Sequence, residues 1–285
     1  MDNKKKAIIL TILAGFFWGT SFPAIKIGLQ YIDSYMFAFL RFSLAAIIMF
    51  FVLISKQKIN LKFGKNRMIW FLGITNGVAY LLQYIGMNFT TASKSSLLIN
   101  LSAIWVAVLS PFILKESLGN KKIIGILLGI LGVFLITTNL NFSILNQGMI
   151  IGDLIVILSG FIWAFYIIFN KKLASGEDTF QSTVWIFFIT VLPMIPFIYF
   201  SSNFTLSLPL EAWLAIGYTA IFCWIVPFYL WFKSLKYISP VTSTIILLTE
   251  VIVAMTISSI VLNEMFTLIS GIGAVFIFIA IILAS

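Results

Sequence analysis

The sequence predicts an all-α polytopic membrane protein: ten transmembrane helices as two inverted five-helix repeats, both termini cytoplasmic. Three observations predict it. Of the 285 residues, 61% are hydrophobic and only 9% are charged, against about 25% charged in an ordinary soluble domain. The apolar residues form continuous runs near the roughly 20 residues that a bilayer-spanning helix needs, without the two-residue alternation of a membrane β-barrel. The basic residues collect on alternate loops.

The runs cover residues 7–29, 34–54, 68–89, 95–114, 122–138, 149–170, 180–200, 210–232, 241–262 and 266–284. The first follows Lys4, Lys5 and Lys6, as a signal peptide would. It is too long for one, carries Trp18 and Lys26, and lacks a small-x-small cleavage site, so it is expected to remain as the first helix. Trp18 and Phe22 share one of its faces. The second run contains Arg41, which either snorkels to an interface or joins an ion pair. In the third, Asn76, Tyr80, Gln83, Tyr84 and Met87 fall on one helical face. A polar stripe of that kind lines a cavity or bonds neighbouring helices.

Lys94 stands at the mouth of the fourth run, where it attracts anionic solutes or anchors the helix end; Ser96 and Asn100 within the run join the candidate substrate-facing set. The fifth carries Gly125, Gly129 and Gly132, a close-packing face for a neighbouring helix or a second copy. The sixth repeats the polar-aromatic pattern with Ser159, Trp163, Tyr166 and Asn170, and the seventh holds Pro193 and Pro196. The eighth offers Trp224 and Phe228, with Trp213 at its interfacial start and Pro227 as the candidate gate or hinge, since proline removes a helical hydrogen bond. The ninth places Glu250 near mid-membrane, where a carboxylate is costly unless paired. Glu250 therefore faces a cavity, holding a cationic group or exchanging a proton, or it bonds a neighbouring helix as the neutral acid. The ninth and tenth carry no lysine. The loops at 55–67 and 139–148 are too short for a folded soluble domain.

Lysine and arginine placement sets the orientation. Lys4 to Lys6, the loop from Lys56 to Arg67, then Lys115, Lys121, Lys122, Lys171, Lys172, Lys233 and Lys236 lie on one side. These are fifteen of the 18 basic residues. Lys94 alone lies on the other; Lys26 and Arg41 fall within helices. The net charge of +9 is thus a cytoplasmic-face signal, and no nucleic-acid partner is expected.

Composition also excludes chemistry. There is no histidine, hence no imidazole base and no Ser-His or Cys-His pair. The single cysteine, Cys223, makes neither an internal disulfide nor a thiolate zinc site. No metal or cofactor is expected.

The two halves resemble each other. Gly15-Phe16-Phe17-Trp18 recurs as Gly160-Phe161-Ile162-Trp163, an offset of 145. Lys115-Glu116 with Gly125 recurs as Asn263-Glu264 with Gly273, and Met87-Asn88-Phe89 faces Leu235-Lys236-Tyr237, both at an offset of 148. Residues 1–143 and 144–285 are the expected repeats. Five helices being odd, the second repeat enters the membrane inverted, as in many secondary transporters. Glu116 and Glu264 are expected to cap the following helices.

The sequence resembles the drug/metabolite transporter superfamily, of the EamA-like permease type, over nearly its whole length. The matching residues are Trp18-Gly19-Thr20-Ser21-Phe22, Arg41-Phe42, Thr91 to Leu98, Leu101-Ser102-Ala103, Leu114-Lys115-Glu116, Gly152-Asp153-Leu154, Tyr229-Leu230-Trp231, Thr249-Glu250-Val251 and Leu262-Asn263-Glu264. Ala103 and Val251 stand where the family often has proline, which argues against a kink in the fourth and ninth helices. The resemblance implies a transporter of small metabolites, often amino acids and often outward, in the plasma membrane, as a monomer or homodimer. An integral membrane enzyme acting on a lipid or isoprenoid is the alternative, and it would need converging acids or histidines that are not apparent.

Overall fold

The computed structural model describes residues 2–55, 60–90, 92–174, 178–201, 206–261 and 267–284, with the backbone alone at 92–94, 96 and 200. Among the described residues, nine helices are long and apolar enough to cross a membrane. They are α1 (Asn3–Gly28), α2 (Ser34–Ser55), α3 (Arg67–Met87), α4 (Leu97–Leu114), α5 (Asn120–Thr138), α6 (Ile150–Ala174), α7 (Thr179–Tyr199), α8 (Leu210–Ser234) and α9 (Pro240–Val261); a shorter apolar helix, α10 (Leu268–Ala284), completes ten. The chain is therefore an all-helical, multi-pass membrane protein.

Helix starts follow capping chemistry. The Asn66 side chain accepts from the Met68 amide at 2.8 Å, and Asp178 accepts from the amides of Phe180 and Gln181. Ser239 accepts from the Thr242 amide, with Pro240 in the first helical position. Each satisfies an amide that lacks an intrahelical acceptor. Glu116 caps nothing: α5 starts at Gly119 without a side-chain cap, and Glu264 lies outside the described residues. Outward-facing apolar side chains such as Phe112, Leu268 and Ile282 are exposed by 73–83%, as a lipid-facing surface requires.

The inverted repeat shows in pairs of contacts. A Cβ on Gly15 of α1 would meet the carbonyl oxygen of Leu247 and the backbone nitrogen of Glu250, each at 3.5 Å. A Cβ on Gly160 of α6 would meet the carbonyl oxygen of Ile99 at 3.3 Å and the backbone nitrogen of Ser102 at 3.7 Å. These are the same two contacts carried through the sequence offsets, so α1 packs on α9 as α6 packs on α4. The α5–α10 seam obeys the same rule. Gly132 and Gly273 each place a carbonyl oxygen where the other's Cβ would be, at 2.6 and 2.7 Å, and Gly125 approaches the Ala280 carbonyl at 3.2 Å. The α5 glycines thus serve packing within the chain.

Two helices break where no proline stands. In α4, Leu101 donates to Leu98 and Ile104 to Leu101; in α9, Leu248 donates to Ile245 and Val251 to Leu248. Both are short i→i+3 turns that split the helix. Ala103 and Val251 do not keep these helices straight; at each break a glycine of the crossing helix brings its backbone against the turn. The ninth helix also shows its proline-free break beside the residue of greatest interest, Glu250.

Candidate substrate cavity

A cavity of about 770 Å³ lies between the halves. α1 contributes Trp18, Ser21, Phe22 and Lys26; α2 contributes Arg41; α3 contributes Tyr80, Gln83, Tyr84 and Met87. From α4 come Asn100 and Ser102, from α6 Trp163, and from α9 Glu250 and Ser258. The lining continues to Gln30, Asn139, Thr267 and Ser270. All four lie at the lysine-poor ends of their helices, so the cavity opens toward that face.

Toward the lysine-rich face it is stopped by rings. Trp18, Tyr80 and Trp163 form the floor. Tyr80 packs on Trp163 at 5.1 Å and on Trp224 at 4.9 Å between ring centres. Trp18 packs on Phe228 at 5.0 Å and on Trp231 at 6.0 Å. Below them Tyr166, Trp224, Phe228 and Trp231 are at most 2% exposed. The Trp231 indole donates to Ser243 Oγ at 2.8 Å. Such edge and offset pairs each contribute about 0.5–1.5 kcal/mol beyond area burial. The lysine-rich end is tied further: Lys171 Nζ donates to the carbonyl oxygens of Leu235, Lys236 and Ile238, and Lys122 Nζ to Ser239 Oγ.

The structure thus gathers Trp18, Phe22, Tyr80, Gln83, Tyr84, Asn100, Trp163 and Glu250 around one space. It places Tyr166, Trp224 and Phe228 beneath the floor, away from the lining. Asn76 lies deeper along α3, fully buried, its Nδ2 donating to Thr190 Oγ1 of α7 at 3.0 Å. Ser159 donates to the Ala79 carbonyl of α3 and Asn170 to the Tyr166 carbonyl within α6; neither lines the cavity. The side chains of Lys94 and Ser96 lie outside the described residues. Pro227 is buried two residues past a π-helical turn, Ile221–Ile225, in which the Val226 amide reaches back to the Ile221 carbonyl. Such widened turns inside helices recur at functional sites.

Arg41 escapes both sequence alternatives. It does not snorkel, and among the described residues it makes no ion pair: it is 3% exposed, it borders the cavity, and its guanidinium lies 4.8 Å from the Phe42 ring centre. The lone charge in the second run was the signal that could have found it.

Inverted five-helix halves, a lipid-facing apolar surface and a one-sided interior cavity define the class: a multi-pass membrane transporter. The chain belongs to the EamA-like transporter family, which matches it twice, over residues 5–138 and 150–285. It is 30% identical over 234 residues to an uncharacterized transporter of Archaeoglobus fulgidus, covering 81% of this chain and 80% of that protein. It is 27% identical to the uncharacterized transporter YyaM of Bacillus subtilis, over 97% of this chain and 93% of that one. A probable amino-acid metabolite efflux pump of Escherichia coli is 30% identical over 196 residues, 68% of this chain and 62% of the pump. A crystal structure superposes with a TM-score of 0.85 at 14% identity, covering 99% of this chain and 96% of the other, a match of fold.

Proposed function

We propose that the protein is a secondary transporter that exports small organic metabolites, amino acids or related compounds, by alternating access. The observation that carries this reading is the cavity itself, closed by aromatic rings at the lysine-rich face, open at the other, and lying between two inverted halves whose packings can exchange. Aromatic walls with a few polar tips suit an amphipathic organic solute better than a bare ion. The names of the Escherichia coli relative and its Salmonella typhimurium counterpart, probable amino-acid metabolite efflux pumps, support the substrate class and the outward direction.

Glu250 is the residue assigned to hold the substrate's cationic group or to exchange a proton. Among the described residues it is the only carboxylate in the lining, which it shares with Arg41, Lys26, Tyr80 and Tyr84. A membrane enzyme would bring several acids together at such a place. In reconstituted vesicles Glu250→Gln is expected to abolish the pH dependence of amino-acid transport; uptake unchanged between about pH 5 and pH 8 in both proteins would refute the role.

A further inference from the structure

We infer that Arg41 is the anion-binding group of the cavity, and that the substrate is a zwitterion whose carboxylate meets Arg41 while its ammonium meets Glu250. This rests on the cavity being the transport site. Arg41 is a permanently charged side chain buried within a membrane helix, where a charge needs a partner. Its Nε is buried without a hydrogen-bond partner. Among the described residues it makes no ion pair with Glu250. What surrounds it instead is flat and aromatic: Phe42 at 4.8 Å and Trp224 at 6.0 Å from the guanidinium carbon. Two ring faces hold the guanidinium by cation–π attraction and leave its N–H edge for a ligand. That edge is a planar fork matched to the two oxygens of a carboxylate. Arg41, Tyr80 and Glu250 line the same cavity, which sets the two charges on one chamber. Arg41 belongs to the first half and Glu250 to the second. A ligand carrying both charges therefore bridges the halves, whereas a simple amine or acid touches one.

The test uses purified full-length protein and three matched probes: L-phenylalanine, L-phenylalaninamide and 3-phenylpropionate, with the leucine series in parallel. Wild type is expected to bind the amino acid at least tenfold more tightly than either single-charge relative. Arg41→Gln should lose tenfold or more toward the amino acid and the acid while leaving the amide unchanged. Arg41→Lys, which keeps the charge, should restore part of the loss and shows whether a failure is one of folding. Equal loss toward all three probes, or none toward any, overturns the assignment. If wild type exports amino acids from vesicles yet binds amide and amino acid alike, the zwitterion inference falls and the transport reading stands.

Lys171 carries a second inference, independent of ligand chemistry. Its Nζ joins the end of α6 to the turn after α8 at distances of 2.7, 3.3 and 3.1 Å from the carbonyls of Leu235, Lys236 and Ile238. The offset of 145 that carries Trp18 onto Trp163 also carries Lys26 onto Lys171. The offset of 148 carries Met87, Asn88 and Thr90 onto the three acceptors. Lys26 and Met87 both border the open mouth. The geometry points to Lys26 as the opposite latch: when the cavity closes on the lysine-poor side, its ammonium takes the carbonyls after α3 as Lys171 takes those after α8. Thr244→Cys, in a Cys223→Ser background, reports access to the cavity through labelling by a membrane-impermeant maleimide applied outside. Lys26→Met is expected to speed that labelling during transport and Lys171→Met to slow it, with Lys26→Arg near wild type. Labelling unchanged in Lys26→Met, or slowed as in Lys171→Met, overturns the latch.

Discussion

Gly19 of α1 admits the carbonyl oxygen of Glu250 so closely that a Cβ on the glycine would stand 2.6 Å from it. The same Cβ would meet the Val253 side chain at 2.6 Å. Backbone touches backbone here, beside the carboxylate and the break in α9. Gly19→Ala therefore forces α1 and α9 apart, and overpacking of this kind costs about 1–3 kcal/mol. Thermal unfolding in detergent should show the loss. Gly217→Ala is the matched control, because nothing lies within 4 Å of its Cβ position; its midpoint should be unchanged or slightly raised. An equal effect at both sites would contradict the close crossing.

Asn76 and Tyr80 are one turn apart on α3 but are expected to behave differently. Asn76→Ala removes an interhelical bond to Thr190 and should lower stability by about 1 kcal/mol, with ligand affinity intact. Tyr80→Ala removes part of the floor and should weaken amino-acid binding at least tenfold, read as a lost ligand-induced thermal shift.

Trp231 is the deepest plate of the seal. Trp231→Ala removes a side chain that is 1% exposed, a change costing about 3–5 kcal/mol in packed interiors. Ser243→Ala is milder and leaves the indole N–H buried without an acceptor, at about 1–3 kcal/mol. Both should raise reagent access to the cavity from the cytoplasmic side; access unchanged in both would show that the seal lies elsewhere.

Pro227 supplies no amide to the turn Ile221–Ile225 that precedes it. Pro227→Ala restores a donor and should let α8 wind regularly. Slower transport at unchanged binding affinity is the expected result, with greater hydrogen-exchange protection in α8. An unaltered rate would remove the hinge role from this residue.

Much of this was legible before any coordinates. The runs of apolar residues and the lysine bias yield helix number and order. The stripe of Tyr80, Gln83, Tyr84 and Met87 marks the cavity-facing side of α3, and Glu250 stands out as the deep acid. What periodicity cannot supply is depth. It groups Asn76 with Tyr80 and Trp224 with the lining, because a helical face runs the full height of the membrane while the cavity occupies only its outer part. The floor that divides them is built by rings from three helices, Trp18 of α1, Tyr80 of α3 and Trp163 of α6. Nor do sequence signals reveal that α4 and α9 break without proline, at turns that lie against a glycine of another helix. Arg41 was visible as a charge, but its place beside Trp224 follows from how α2 meets α8. Lys171 reads as one more cytoplasmic charge until the carbonyls it gathers are seen.

The paired contacts of Gly15 and Gly160 carry one mismatch. Where Gly15 meets the backbone of Glu250, Gly160 meets that of Ser102. Two identical halves would rest equally well facing either way, like a balance with equal pans. Here one pan carries a carboxyl and the other a hydroxyl. On the role proposed for Glu250, the balance point depends on what that side chain holds, and a proton or an ammonium group there is the weight that tips it.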